Sequence, residues 1–223
     1  MKMKNKLLLG LVSLIPFIGV SCNKEGGSEA YDQHNKQGIT LENQGKFDDA
    51  INEYKKAIEI DPKNMKAHLN LGNIYYKQQK YDDAMSKYKE AADLDPKSSL
   101  VHSNLGNVYS DKGNIEEAIK EYKEAITLNP NDANPHYNLG SIYFKQNKYD
   151  DASTEYKEAI RIDPKDDDFY VNLGGVYYTQ KKYVEAFIEF EKAVKINPNN
   201  EKAQKNLEVV QKFVKEIKLD KGK

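Results

Sequence analysis

The histidines of this 223-residue chain are His34, His68, His102 and His136, one every 34 residues. Imidazole can ligate a divalent metal and can change charge near neutral pH. Zinc, however, needs several ligands within about 2.0–2.1 Å of one ion. Residues one period apart would stand on separate packed helices, whose axes approach no closer than about 8–10 Å, and would point in parallel. The single cysteine, Cys22, cannot complete a cage. The histidines are therefore expected to fill packing positions, with no metal and no cofactor. The acid pairs at 48–49, 82–83 and 150–151 recur at the starts of predicted helices, where negative charge is favourable. No nucleophile motif, zinc-protease motif or phosphate loop is present, so catalysis is not expected.

A second periodic set has better prospects. Asn70, Asn104, Asn138 and Asn172 each follow two residues after the His or Tyr position, and Lys36 interrupts the row at its N-terminal end. A carboxamide both donates and accepts hydrogen bonds. A row of them could hold the backbone of an extended peptide whatever its side chains. Equally, it could be bonded within the scaffold.

These residues must be positioned by helices. The chain divides without a gap into units 31–64, 65–98, 99–132, 133–166 and 167–200. His136, Leu139, Gly140 and Tyr143 fall at i, i+3, i+4 and i+7, as do Ala152, Tyr156, Ala159 and Ile160. Each unit thus predicts two antiparallel helices. The unit-final residues Asn64, Ser98, Asp132, Asp166 and Asn200 suit an N-cap. Gly45, Gly113 and Asn147 suit a left-handed residue after the first helix. Pro62, Pro96, Pro130, Pro164 and Pro198 end the second helix. Beyond the units, Ala203, Leu207, Val210, Phe213 and Ile217 form one apolar stripe, which predicts a capping helix within 201–223.

The pattern resembles the tetratricopeptide repeat: W-x₂-L-G-x₂-Y, then A-x₃-F, then P, at a period of 34. Units 2 to 4 match with His for Trp and Tyr for Phe, and unit 5 matches through Tyr170, Leu173, Gly174, Tyr177, Ala186, Phe190, Ala193 and Pro198. Unit 1 departs at Gln37 and Leu41. The resemblance implies an all-α, right-handed superhelical α-solenoid of five helix-turn-helix units and a C-terminal cap. It also implies that the first helices line a concave face, that the glycines allow close helix approach, and that the function is binding a protein or peptide. Candidate binding residues on that face are Asn70, Asn73, Tyr76, Lys77, Asn104, Asn107, Tyr137, Asn138, Phe144, Lys145, Asn172 and Tyr178. The clamp of cations by which some members bind a terminal carboxylate is missing. Asn35, Ile39, Asn70, Leu100 and Asn104 stand in those places.

The N-terminal stretch "MKMKNKLLLGLVSLIPFIGVSC" carries Lys2, Lys4 and Lys6 before a short apolar run, the form of an export signal. It resembles a bacterial lipoprotein signal, with Gly19 where Leu is usual and cleavage before Cys22, which would be acylated. Residues 1–21 are then a signal peptide and 22–30 a flexible tether. The body after residue 21 has 31 basic against 35 acidic residues, a formal charge of −4, and gives no reason to expect a nucleic-acid partner. The expected protein is exported and lipid-anchored to an envelope membrane, periplasmic or surface-exposed, with a protein or peptide partner and scope for self-association. The alternative is a structural or assembly subunit of an envelope machine, similar to pilotins or outer-membrane assembly lipoproteins, working through its outer surfaces.

Overall fold

The computed structural model describes residues 24–220 of the chain, with side chains described over 27–216. Those residues form eleven helices and no strand. The first helices of the units are α1 (Lys24–Asn43), α3 (Met65–Lys77), α5 (Ser99–Asp111), α7 (Ala133–Lys145) and α9 (Asp167–Thr179). The second helices are α2 (Phe47–Ile60), α4 (Tyr81–Leu94), α6 (Ile115–Leu128), α8 (Tyr149–Ile162) and α10 (Tyr183–Ile196), and α11 (Glu201–Asp220) closes the array. Each helix packs most closely on its unit partner and next on the following unit. In addition α1 touches α3, α5 touches α7, α7 touches α9 and α9 touches α11, and the bonds from Tyr76 to Asp111 and from Asn104 to Asn73 join α3 to α5, so the first helices form one continuous layer, the inner side of the stack. The chain is an all-α solenoid.

Helix ends follow local chemistry. Asn64, Asp132 and Asp166 accept from the backbone N–H two residues on, and Asn200 Oδ1 accepts from Ala203 N at 2.9 Å. Ser98 caps without such a bond. At the other boundary, Asp61, Asp95, Asn129, Asp163 and Asn197 each reach across the following proline to accept an N–H two residues ahead. Gly45, Gly113 and Asn147 adopt positive φ as expected, but so do Gln79 (58°) and Lys181 (60°), which pay a steric penalty there that glycine avoids.

The core is a relay of aromatic rings. Tyr54, Tyr88, Tyr122, Tyr156 and Phe190 are at most 2 % exposed. Each ring lies on the glycine of its own unit: a Cβ on Gly72, Gly106 or Gly174 would stand 2.6 Å from a ring carbon, and one on Gly38 2.5 Å. The glycines therefore make room for an aromatic ring of the second helix, which corrects the expectation that they admit close backbone approach. The alanines Ala50, Ala84, Ala118, Ala152 and Ala186 are fully buried one turn before each ring.

The N-terminal boundary also differs from the expectation. α1 begins at Lys24, so the tether expected over 22–30 is helical from that residue onward; "EGGSEAYDQH" continues into the register of unit 1 without a helix breaker at its end. The signal peptide of residues 1–21 and the acylated Cys22 lie outside the described residues. Among those residues, no helix is long and apolar enough to cross a membrane.

Candidate functional site

The histidine row resolves first. His34 Nδ1 lies 2.6 Å from Glu53, His102 Nδ1 2.7 Å from Glu121, and His136 Nδ1 2.7 Å from Glu155, each glutamate on the unit's own second helix. In unit 2 that glutamate is replaced by Lys87. His68 instead has Glu90 2.9 Å away, and Lys87 pairs with the same carboxylate. The outer edge of the ring is held as well: His68 and His102 donate from Nε2 to the prolyl carbonyls of Pro62 (3.0 Å) and Pro96 (3.2 Å), and the Tyr170 hydroxyl donates to Pro164 O. At His102 both ring nitrogens face acceptors, which selects the imidazolium. Burial pulls its pKa down, but Glu121 and the Pro96 carbonyl outweigh burial, and it stands above its ordinary value. The histidines thus couple the first helix to the second and to the turn before it.

The asparagine row lies on the inner layer and is tied between units. Asn104 Nδ2 donates to Asn73 Oδ1 at 3.1 Å and Asn138 Nδ2 to Asn107 Oδ1 at 2.9 Å. Asn70 donates to Asn35 Oδ1 at 3.0 Å and Asn172 to the Tyr137 hydroxyl at 2.9 Å. The choice of acceptor has a simple cause. In units 1 and 4 the place of Asn73 and Asn107 is held by Ile39, which cannot accept, and by Ser141, whose short hydroxyl is bonded to Tyr137 O and the Tyr156 hydroxyl, and the donor turns one helical turn back to Asn35 or Tyr137. Asn73 and Asn107 accept a second bond, from the hydroxyls of Tyr88 (2.8 Å) and Tyr122 (2.7 Å). Burial lifts the Tyr88 and Tyr122 phenols far above the ordinary tyrosine range, and the Tyr156 phenol to about 12, so these hydroxyls remain donors at any working pH.

This network is scaffold, since one N–H of every ladder asparagine is spent on the preceding unit. It also orients the row. Asn70, Asn104, Asn138 and Asn172 are half-buried, and their Oδ1 atoms accept no hydrogen bond among the described residues. The remaining acceptor of each therefore has a fixed direction, set by the bonded N–H.

The other expected residues divide. Lys77 forms an ion pair with Glu42 at 2.6 Å, and the Tyr76 hydroxyl donates to Asp111 at 2.6 Å; both contacts join neighbouring units. Tyr137 packs against Phe169 and Tyr156 with ring centroids 5.2 and 5.9 Å apart. Tyr76, Asn107, Asn138 and Lys145 line one polar recess of about 200 Å³ with Ser110, Asp111 and Ser141. Phe144 and Tyr178 line a second recess of about 230 Å³, nearer the C-terminal end. Gly175 and Asn206 line the second recess and were not among the expected residues. For Asn206 a signal existed, because it stands one period after Asn172. The helix α11 therefore keeps the register of a unit's first helix as well as covering unit 5.

The comparisons with known proteins agree with this geometry. Models described as TPR repeat match residues 43–79, 72–113, 106–147 and 140–181, and one described as tetratricopeptide repeat matches 167–200. The chain belongs to the tetratricopeptide repeat family. No curated protein matches in sequence. Among solved structures it is similar to MamA, at 30 % identity over 72 % of this chain and 94 % of that one, with a TM-score of 0.65. It is also similar in fold to pilF of Pseudomonas aeruginosa, at 21 % identity over 86 % and 93 % of the two chains and a TM-score of 0.74. A third similar fold is YrrB, titled a TPR protein with an unusual peptide-binding site, at 21 % identity over 80 % and 95 % and a TM-score of 0.62. Repeat arrays of this family are scaffolds for protein–protein interaction, generally without catalytic activity, and the chain is of that class.

Proposed function

We propose that the protein is a lipid-anchored adaptor of a bacterial envelope membrane that captures an extended segment of a partner protein on its inner face. The observation that carries this reading is the oriented row of carboxamide oxygens on Asn70, Asn104, Asn138 and Asn172, each locked by its own N–H and open on the acceptor side. Main-chain N–H groups of an extended segment are the natural donors to such a row, while the recesses beside it supply selectivity through side chains. The lipid attachment rests on Cys22 behind its apolar leader. Several acyl chains, at about 0.8 kcal/mol per buried CH₂, would make it lasting.

A second reading is favoured by one surface feature. Val184 and Ile188, one turn apart on α10, are 46 % and 43 % exposed, where the other units carry acids or polar residues. An assembly subunit could use that outer face. A photo-crosslinking amino acid placed at Ser110, in the inner recess, and separately at Val184 decides between the two in the native cells. Adducts from Ser110 alone support groove capture. Adducts from Val184 alone sink it and leave the assembly subunit standing. Metabolic labelling with a fatty-acid analogue, lost in Cys22→Ser, tests the anchor; unchanged labelling would remove Cys22 as its site.

A further inference from the structure

The ladder has a defect at its C-terminal end. Each asparagine of the row finds its acceptor at one of two places on the preceding first helix, either the Asn35/Tyr137 place or the Asn73/Asn107 place. For Asn206 on α11 those places hold Val171 and Gly175, and neither side chain can accept. Its carboxamide accordingly makes no hydrogen bond among the described residues. The second helix contributes to the same gap. Where units 2 and 3 place a tyrosine hydroxyl against the Asn73/Asn107 position, unit 5 has Phe190. A Cβ added to Gly175 would meet nothing within 4 Å.

The result is a recess of about 230 Å³ walled by Phe144, Tyr178, Phe190 and Val209, with Asn206 at its polar edge. Water occupies about 30 Å³ per molecule, so this volume equals roughly seven or eight waters. It is below the roughly 300–1,000 Å³ of a pocket for a whole small molecule, but it suits one large apolar side chain. Lysines stand on the side of α11 nearest the recess. Lys202 lies one turn before Asn206, Lys205 one turn before Val209, and Lys212 three residues beyond it, so all three ride on the same side of α11. All are exposed and none is in an ion pair among the described residues; Glu201 and Glu208, four residues before Lys205 and Lys212, lie farther round α11 from Asn206 and Val209 than the lysines do, and Glu216 lies four residues beyond Lys212.

We infer that this recess is the anchor subsite of the inner groove: it takes one aliphatic or aromatic side chain of an extended, acidic segment of a partner protein. The Asn206 carboxamide, free on both its donor and acceptor sides, pairs with that segment's backbone. The three lysines favour Asp or Glu beside the anchor. This inference rests on the groove reading above and adds to it the chemistry of the bound segment.

The test is to pan random dodecapeptides displayed on phage against the full chain in detergent, in parallel with Gly175→Leu and with a Lys202→Ser, Lys205→Ser, Lys212→Ser triple variant. Leucine at 175 fills the recess and has higher helix propensity than glycine, so circular dichroism and melting must show an intact fold. The expected pool carries one large apolar residue with acids within a few positions. Its best peptide, made synthetically, binds Gly175→Leu about ten-fold to a hundred-fold more weakly, as expected for losing the burial of one large apolar side chain. The triple variant loses the acidic preference. Selection without an apolar preference, or with the same preference on Gly175→Leu, overturns the subsite and leaves the groove. Failure to enrich any peptide overturns both.

Discussion

The same substitution, Gly to Ala, should have opposite effects at two places on the inner layer. Both Gly106 on α5 and Gly175 on α9 lie inside helices at ordinary backbone angles, and alanine gains about 1 kcal/mol over glycine in helix propensity at either. At Gly175 nothing opposes that gain, because the new methyl meets no atom within 4 Å. Gly175→Ala is expected to stabilise by about 0.5–1 kcal/mol. At Gly106 the methyl would stand 2.6 and 2.7 Å from Cε1 and Cδ1 of Tyr122. That ring is 2 % exposed and its hydroxyl is held by Asn107 at 2.7 Å, so it cannot swing aside without breaking the bond. Overpacking of this kind costs about 1–3 kcal/mol. Gly106→Ala therefore ends neutral to about 2 kcal/mol destabilised, and the two variants separate by about 1–3 kcal/mol. For a domain of this size the separation is roughly 2–12 °C in melting temperature. Urea and thermal unfolding followed by circular dichroism and by tyrosine fluorescence would measure it, the two probes also checking that the array unfolds as one unit. If Gly106→Ala melts as high as Gly175→Ala, the seating of the second-helix rings on the glycines is wrong.

Three further predictions concern the polar network and the turns. Asn107→Ala strands two donors at once, the Tyr122 hydroxyl and the Asn138 amide, and should cost about 2–3 kcal/mol, against about 1 kcal/mol for Asn138→Ala, which leaves Asn107 still bonded to Tyr122; equal urea midpoints would contradict the shared acceptor. Gln79→Gly and Lys181→Gly, at φ of 58° and 60°, should each stabilise by up to about 1 kcal/mol, whereas Gly113→Ala, at 80°, should destabilise; a melting-temperature shift of the opposite sign in either glycine variant refutes the strain. The His102 imidazolium is favoured in the folded state, so its contribution is fully present below the unfolded pKa of about 6.5 and is lost as pH rises through the higher folded value. Glu121→Gln should lower the His102 pKa in an NMR titration and flatten that part of the stability profile, and an unmoved titration would rule out the pairing.

Much of the architecture was legible in the residues themselves. A strict 34-residue period fixes which positions are equivalent, and the helix-ending prolines with the Asp or Asn before them mark every unit boundary. Asn64, Asp132 and Asp166 cap as their types require, because a cap depends on the next two or three residues and on nothing distant. Gln79 and Lys181 were less legible: the turn geometry is imposed by the two helices it joins, so any residue there takes positive φ.

What the chain alone determined is the local and periodic part: helix spans, caps, turns and the repeat that stacks them. Only the tertiary structure decided which polar groups remain free. Whether an asparagine in the row is bonded depends on what the preceding unit offers across the interface, and that is a contact between residues some 30 positions apart. Asn104 meets Asn73 and Asn172 meets Tyr137, whereas the corresponding places for Asn206 hold Val171 and Gly175, whose side chains cannot accept. The glycines followed the same logic. Their role was set by the shape and depth of a ring from the other helix, which spacing along the chain does not specify. The open recess beside α11 exists because two such absences coincide in space, at Gly175 and at the missing hydroxyl of Phe190.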